Sequence, residues 1–237
     1  MRTVTVADRL IVALDVTALK PALDLATRLQ GLVRTLKVGS ILFTACGPVV
    51  IQRLRSLGFE VMLDLKFLDI PSTVELSCRS AVRHRVSMLT VHARGERAML
   101  DAAVHGVRDE ARRLRVVRPH VLGVTVLTST GGARPASVRR EVTRLAHHAW
   151  QAGCDGVVAS AREAAALRRR FGTRLRIVCS GIRPASAAHR DQRRVCTPSE
   201  ALRNGADVLV VGRPITASRH PRAAVQQILN EMEHRPW

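Results

Sequence analysis

The hydrophobic pattern of this chain alternates between short runs rich in β-branched residues and longer amphipathic stretches. Short apolar runs bounded by polar or turn residues indicate buried strands, whereas apolar positions spaced three or four apart indicate helices. The predicted strands are Leu10–Leu14, Thr35–Val38, Phe59–Leu65, Ser87–His92, Val121–Leu127, Gly156–Ala159, Leu175–Cys179 and Val208–Val211. The predicted helices are Ala18–Leu32, Pro48–Leu57, Thr73–Arg83, Ala98–Leu114, Ser137–Gln151, Ala161–Phe171, Thr197–Asn204 and about Arg222–Glu233.

Strands that alternate with helices in this way predict parallel pairing through crossover helices. Eight such units close into a (β/α)₈ barrel, the TIM barrel. An open doubly wound α/β sheet is the alternative, but it would need a glycine-rich turn after the first strand, where this chain has Asp15-Val-Thr-Ala. The sequence therefore predicts an α/β protein with one (β/α)₈ barrel domain that spans residues 1–237.

The predicted strand Phe59–Leu65 ends in a group of charges. Asp64, Lys66 and Asp69 lie within six residues of one another, and strand alternation places Asp64 and Lys66 on the same face. Burying a charge is costly unless the charge is paired, and these three side chains are close enough in sequence to be able to pair with one another. The alternative is a solvated edge strand whose charges face water.

Lysine is rare in this chain, although basic residues are abundant. Of the 38 lysines and arginines, only Lys20, Lys37 and Lys66 are lysines, and two of them lie at or near predicted strand ends. Arginine cannot replace lysine where a proton must be given up, because the guanidinium group stays charged. The retained lysines therefore indicate chemistry.

The net charge of +19 raises the hypothesis of a nucleic-acid-binding protein, since basic patches bind phosphate chains. Against it, the chain has no tyrosine and only 3% aromatic residues, which leaves little surface for stacking on bases. We interpret the charge as compositional bias and predict neither specific nucleic-acid binding nor membrane binding.

The five cysteines are scattered without a Cys-x-x-Cys pair, which favours a reducing compartment over a disulfide framework or a zinc site.

No apolar run approaches the roughly 18 residues that span a membrane, and the N-terminus lacks the pattern of a signal peptide. We therefore expect a cytoplasmic protein.

In a (β/α)₈ barrel the active site is built at the carboxyl ends of the strands. The last two strands are followed by Gly181-Ile-Arg183 and by Gly212-Arg213, where such barrels frequently bind phosphate. The predicted strand-end residues are Asp15, Lys37, Asp64, Lys66, Asp69, His92, Thr128, Arg183, Gly212 and Arg213.

Several strings of the sequence resemble the orotidine 5′-phosphate decarboxylase family. The most specific is Asp64-Leu-Lys-Phe-Leu-Asp-Ile-Pro-Ser-Thr73, and the resemblance covers nearly the whole chain. The other matching strings are Leu10-Ile-Val-Ala-Leu-Asp15, Lys37-Val-Gly, Thr90-Val-His-Ala, Gly123-Val-Thr-Val-Leu-Thr-Ser129, Gly181-Ile-Arg-Pro, Asp191-Gln192, Thr197-Pro and Gly205-Ala-Asp-Val-Leu-Val-Val-Gly-Arg-Pro-Ile-Thr216. One departure is Ser180, where the family usually has proline.

The resemblance implies decarboxylation of orotidine 5′-phosphate to uridine 5′-phosphate, in pyrimidine biosynthesis, by a homodimer without a metal or an organic cofactor. It makes Lys66 the general acid at C6 and places Asp64 near the departing carboxylate. The remaining implied roles are a charged network and ribose binding for Asp15 and Lys37, a contribution across the dimer for Asp69, Ile70 and Thr73, pyrimidine binding for Thr128, and phosphate binding for Arg183, Gln192, Gly212 and Arg213.

Two other functions stay open at this point. A sister group of metal-dependent sugar-phosphate decarboxylases and synthases shares the barrel and the Asp-x-Lys-x-x-Asp string, but it is understood to carry glutamate at the position of Lys37 and to lack Ile70-Pro71. The second alternative is a basic nucleic-acid-associated barrel protein without this activity.

Overall fold

Eight parallel strands form a closed barrel in a computed structural model that describes residues 5–127, 134–184 and 196–233. Neighbouring strands follow chain order, and the first strand also pairs with the last. This closure confirms the predicted barrel, so the open sheet and the solvated edge strand are both wrong. The strands are β1 (Leu10–Ala13), β2 (Thr35–Gly39), β3 (Glu60–Phe67), β4 (Met88–His92), β5 (His120–Val124), β6 (Gly156–Ser160), β7 (Arg176–Ser180) and β8 (Val208–Val211).

Helices connect the strands and surround the barrel. They are α1 (Leu19–Leu29), α2 (Ser40–Cys46), α3 (Val49–Ser56), α4 (Pro71–Arg83), α5 (Arg97–Leu114), α6 (Pro135–Gln151), α7 (Ala161–Phe171), α8 (Pro198–Arg203), α9 (Arg213–Thr216) and α10 (Pro221–Glu233). Short 3₁₀ helices cover Val6–Arg9 and Gly172–Arg174.

The helix ends follow from the local sequence. Pro71 and Pro135 begin α4 and α6, where a missing N–H costs no helical hydrogen bond. Thr197 and Glu200 form a reciprocal capping box at the start of α8, which satisfies two backbone N–H groups. The helices α4 and α6 therefore begin two residues before their predicted starts, Thr73 and Ser137, and α8 begins one residue after Thr197.

The core has two parts, one inside the barrel and one between the barrel and the helices. The interior is filled by apolar side chains that alternate with outward-facing ones along the strands. Its members are Ile11, Ala13, Met62, Met88, Leu122, Val178, Val208 and Val210. The outer layer is larger and includes Leu36, Val61, Leu63 and Val91, which pack against the helices. The apolar interior leaves the strand ends for polar side chains.

The pairing of β3 with β4 is irregular at the carboxyl end. Leu63 pairs with Leu89 and Phe67 pairs with Val91, so four steps along β3 match two steps along β4. Lys66 lies inside this β-bulge and has a positive φ of 51°, which is uncommon for a residue with a Cβ. Bulges redirect side chains next to active sites, and this one contains part of the predicted charged group.

The described part of the chain contains no helix that is long and apolar enough to cross a membrane. All five cysteines lie within it, and none of them forms a disulfide bond.

Candidate active site

A cavity of about 240 Å³ opens at the carboxyl ends of the strands. Its base is apolar and includes Ala13, Met62 and Val210. Its polar lining consists of Asp15, Lys37, Asp64, Lys66, Ser180, Arg183 and Arg213, together with the glycines Gly181 and Gly212. The structure therefore gathers charged residues from five of the eight strand ends around one apolar-floored space.

Four of these side chains form a continuous row of alternating charge. Lys37 Nζ lies 3.2 Å from Asp15 Oδ1 and 3.4 Å from Asp64 Oδ2. Lys66 Nζ lies 2.9 Å from Asp64 Oδ1. Lys37 and Asp64 are buried, whereas Asp15 and Lys66 are partly exposed, with 40% and 37% of their side-chain surfaces accessible. The exposed end of the row, Lys66, is the cation that a ligand can reach most directly.

Asp64 stays ionised despite its burial. Burial alone would raise its pKa, but the charges of Lys37 and Lys66 and hydrogen bonds from Lys66 and Thr90 lower that pKa below its usual value. An opposite charge within about 4 Å favours the charged form of a carboxyl group. The site therefore holds a carboxylate between two ammonium groups at neutral pH.

Thr90 of β4 forms hydrogen bonds with both Asp64 and Lys66. Its hydroxyl donates a hydrogen bond to Asp64 Oδ1 at 3.0 Å and accepts one from the backbone N–H of Lys66 at 2.9 Å. Thr90 is completely buried and does not line the cavity. It therefore contacts both charged residues without reaching the space that they enclose.

Lys37 lies between the Asp15 and Asp64 carboxylates, so an ammonium group fills the space between them. Its ammonium group contacts both Asp15 and Asp64. Across the described ranges, no group of three or more His, Cys, Asp or Glu side chains is arranged to hold a metal ion. The donor set here suits a lysine-bridged pair of carboxylates.

The ends of β7 and β8 contribute the cationic side of the cavity. Arg183 is buried and donates through Nη1 to the Ile182 carbonyl at 3.0 Å, whereas Arg213 is exposed at the first turn of α9. A Cβ on Gly212 would lie 3.1 Å from Asp15 Oδ2. Glycine at this position therefore leaves room for the Asp15 carboxylate beside the backbone.

The residues that follow β3 lie outside the cavity. Asp69 and Ile70 are exposed in the turn before α4, and Thr73 is exposed in its first turn. Asp69 Oδ1 accepts a hydrogen bond from the Ile70 N–H at 2.7 Å, and within the described residues Asp69 forms no ion pair with Lys66. Of the three charged residues, Asp64 and Lys66 therefore pair with each other, whereas Asp69 lies apart from them.

Two predicted site residues, Thr128 and Gln192, lie outside the described residues. His92, at the end of β4, is half-buried and accepts a hydrogen bond from the Arg94 N–H at 3.3 Å. Burial and the charges of Arg94 and Lys66 lower its pKa. His92 does not line the cavity.

A larger concavity of about 1040 Å³ lies at the opposite end of the barrel, where the strands begin. Its charged lining includes ion pairs such as Arg34 with Glu60, whose Nη2–Oε1 distance is 2.6 Å. Active sites of (β/α)₈ barrels lie at the carboxyl ends of the strands, whereas the other face serves stability. We therefore place the candidate active site in the smaller cavity.

Known proteins resemble this chain over most of its length. Residues 8–228 match the model of the "Orotidine 5'-phosphate decarboxylase / HUMPS family". The chain belongs to this family. The orotidine 5′-phosphate decarboxylases of Halorhodospira halophila and Moorella thermoacetica are 48% and 46% identical to it over 231 and 233 residues. These alignments cover 94% and 95% of this chain, and 95% and 92% of those proteins.

Solved structures extend the likeness to the fold. The crystal structure of orotidine 5′-phosphate decarboxylase from Lactobacillus acidophilus matches with a TM-score of 0.82 at 32% sequence identity. The match covers 95% of this chain and 99% of the other. Membership of the family, predicted from the strings around Lys37, Asp64 and Arg213, is confirmed.

Sequence reasoning assigned no role to Thr90 or to the apolar base of the cavity. Thr90 looked like an ordinary β-branched strand residue, although a hydroxyl inside the run Met88-Leu-Thr-Val signals a buried polar group that needs partners. The apolar base could have been found from the inward positions of β1, β3 and β8, once strand alternation was applied to each strand.

Proposed function

We propose that this protein decarboxylates orotidine 5′-phosphate to uridine 5′-phosphate, a step of pyrimidine nucleotide biosynthesis. Curated relatives at 46–48% identity carry the name of that enzyme. The observation that carries the proposal is the buried Asp64 carboxylate held between Lys37 and Lys66 at the mouth of an apolar-floored cavity.

The chemistry requires one proton and no redox partner. Cleavage of the bond between C6 and its carboxylate releases CO₂ and leaves an electron pair at C6 that the ring π-system cannot delocalise. Lys66 donates a proton from its ammonium group to C6, so that a C–H bond replaces the C–C bond. Charges that are already in place stabilise such a carbanion without reorganisation, and the row from Asp15 to Lys66 supplies them.

The cationic side of the cavity suits the phosphate group. In this proposal Arg183 and Arg213 bind the phosphate together with Gln192 and the backbone at Gly212. Arg183 and Arg213 line the same cavity as Lys66. Asp15 and Lys37 hold the ribose hydroxyls, and Thr128 binds the pyrimidine edge. Binding energy from a remote phosphate can then order the site and raise the rate at C6.

The exposed turn between β3 and α4 suits a dimer with shared active sites. Ile70 is 63% exposed and Leu68 is 55% exposed beside Asp69, and apolar side chains grouped on a surface mark contact sites. We infer that this turn packs against a second copy of the chain. Asp69, Ile70 and Thr73 then enter the partner's active site, across an interface that is the same on both copies.

Turnover tests the proposed function directly. The purified chain should convert orotidine 5′-phosphate with loss of ultraviolet absorbance, and exhaustive chelation should leave the rate unchanged because Lys37 already bridges Asp15 and Asp64. Restoration by Mg²⁺ of a rate lost to chelator would favour the metal-dependent sugar-phosphate activity instead. Salt-dependent DNA binding without turnover would favour the nucleic-acid hypothesis.

A further inference from the structure

The bulge in β3 places one residue of β4 opposite several residues of the active site. Between the pairs Leu63–Leu89 and Phe67–Val91, β3 has Asp64, Leu65 and Lys66, whereas β4 has Thr90 alone. An unpaired backbone N–H in a buried sheet costs free energy unless another group accepts it. Thr90 is therefore the residue of β4 that lies opposite the bulged backbone and can form a hydrogen bond with it.

The Thr90 hydroxyl forms hydrogen bonds with both the bulged backbone of β3 and the Asp64 carboxylate. A hydroxyl has one proton and two acceptor lone pairs. The Lys66 backbone N–H can only donate, so it uses a lone pair of Thr90 Oγ1 at 2.9 Å. The hydroxyl proton is then directed to Asp64 Oδ1 at 3.0 Å. One buried atom thereby links the backbone of Lys66 to the side chain of Asp64.

This link also fixes which carboxylate oxygen faces which lysine. Asp64 Oδ1 receives the Thr90 hydroxyl and Lys66 Nζ, whereas Oδ2 faces Lys37 Nζ. Without the hydroxyl, the carboxylate could rotate about its last torsion, which is broad for aspartate. The positive φ of Lys66 would also lose the hydrogen bond that holds its backbone in an uncommon conformation.

We propose that Thr90 is a positioning residue, which orients Asp64 and Lys66 for the decarboxylation proposed above. This proposal rests on the proposed function. In it, Thr90 touches neither substrate nor product, because Thr90 is fully buried and lies outside the cavity lining. Thr90 acts through the two residues that it bonds.

Two substitutions at this position separate the hydroxyl from the shape of the side chain. Thr90→Val keeps the branched shape and removes the hydroxyl, whereas Thr90→Ser keeps the hydroxyl. A misplacement of about 1 Å can cost on the order of a hundredfold in rate, so we expect Thr90→Val to lower kcat roughly 10- to 100-fold with little change in KM. Thr90→Ser should stay within about threefold of the wild type, since the bonds that position the reacting groups remain.

Thr125→Val is the matched control. Thr125 is also completely buried, and its hydroxyl donates to the Val158 carbonyl at 2.8 Å; in the described part of the chain it forms no hydrogen bond with a charged side chain. Thr125→Val therefore removes a buried hydroxyl of the same kind and should retain the wild-type kcat. An equal loss of kcat in Thr125→Val, or wild-type kcat in Thr90→Val, would overturn the proposal.

The titration of Asp64 provides a second readout that needs no substrate. The charged groups that face it are Lys37 from β2 and Lys66 from β3, with Asp15 behind Lys37 and His92 of β4 near Lys66. Loss of a hydrogen bond to the ionised form raises a carboxyl pKa. The carboxyl ¹³C resonance of Asp64, assigned with Asp64→Asn, should titrate at higher pH in Thr90→Val than in the wild type or in Thr90→Ser.

The two readouts separate the two proposals. A wild-type chain that fails to turn over orotidine 5′-phosphate overturns the proposed function, and the ¹³C titration then still decides whether Thr90 holds Asp64. An active wild type with an unchanged Asp64 midpoint in Thr90→Val overturns the role of Thr90 and leaves the proposed function intact.

Discussion

Single side chains in this site depend on their neighbours for their charge. Asp64 is buried and would favour its neutral form, but ammonium groups on both sides and the Thr90 hydroxyl keep its pKa low. Lys66 Nζ lies 2.9 Å from this carboxylate. The charge of Asp64 and the position of the Lys66 side chain therefore depend on each other.

Lys66→Arg tests whether the proton donation proposed for Lys66 matters. Arginine keeps the positive charge but does not release a proton, and general acid catalysis contributes about 10²–10⁴ in rate. We expect Lys66→Arg to lower kcat by about that factor, nearly as much as Lys66→Ala. Loss of ultraviolet absorbance on decarboxylation is the measurement. Lys20→Arg is the control, since Lys20 is 88% exposed and pairs only with Asp24 among the described residues. An active Lys66→Arg enzyme would remove Lys66 as the general acid.

Arg213→Ala tests the phosphate assignment. A hydrogen bond to a charged group contributes roughly 1.5–3 kcal/mol, which corresponds to about a ten- to hundredfold loss in kcat/KM for orotidine 5′-phosphate. The nucleoside orotidine lacks the phosphate, so its slow turnover should hardly respond to the substitution. Equal losses for the two substrates would place Arg213 outside the phosphate site.

The sequence predicted those residues whose chemistry is unusual for their surroundings. Lys37 and Lys66 stood out because lysine is rare in this chain, and the structure brings both to Asp64. Thr90 did not stand out, because threonine is common in strands. Its position opposite the bulge exists only after two strands have paired. Asp69, which the family resemblance assigns to the partner's site, lies in the exposed turn before α4.

At the scale of elements, the predicted strands and helices overlap the observed ones, although β5 ends at Val124 instead of Leu127 and α1 ends at Leu29 instead of Leu32. The helices α2 and α9 were missed, since seven and four residues are too few for a helical period to be recognised. β3 extends to Phe67 instead of Leu65, because the β-bulge lets pairing resume beyond the charged residues. Period-two reasoning has no means to predict the two extra residues that β3 carries opposite β4.

The strand starts offer a test of stability that is separate from the active site. Asp155, which precedes β6, accepts hydrogen bonds from the Arg118 guanidinium and from the Val121 N–H at 2.8 Å. Burial alone would raise its pKa, but His120, Arg118 and the Val121 N–H lower the pKa to about 2. Asp155 therefore ties the beginning of β5 to the beginning of β6 as long as it is ionised.

Asp155→Asn should lower the unfolding free energy by roughly 2 kcal/mol at pH 7. The folded pKa lies below that of the unfolded chain, so this stabilisation is complete above about pH 5 and is lost as the pH falls towards the folded pKa. Urea unfolding of both proteins between pH 7 and pH 3 should show a difference that shrinks on acidification. Asp24→Asn, at an exposed pair with Lys20, is the control and should change stability by less than about 1 kcal/mol. A difference that does not vary with pH would contradict the role of the ionised carboxylate.

At the scale of the whole molecule, a single chain presents an incomplete set of the residues implied by the family resemblance. Asp69, Ile70 and Thr73 are exposed and do not line the cavity that holds Lys66. The proposed dimer resolves this separation by giving each site the turn of the other copy. The assignment of Asp69 then depends on association, which no argument from one chain's strand periodicity can supply.

Complementation between two inactive variants tests the shared site. Lys66→Ala and Asp69→Ala homodimers should each be nearly inactive. In a mixed dimer, the Asp69→Ala copy keeps Lys66 and receives an intact Asp69 from its partner, while the other site lacks both groups. Co-refolding should therefore restore activity, up to one working site per heterodimer. If mixed dimers form and no activity returns, Asp69 acts within its own chain.

The pairing of β1 with β8 also bears on how the protein is made. Leu10 lies beside Leu209, so β1 cannot complete its backbone pairing until β8 has been synthesised. Until Val208–Val211 has been synthesised, β1 and β7 each keep one edge of unpaired backbone groups, which is the kind of edge that recruits other chains. The strand ends that carry Asp15 and Gly212 meet at this same seam. The pairing of β8 therefore completes both the barrel and the side of the cavity that we propose binds ribose and phosphate.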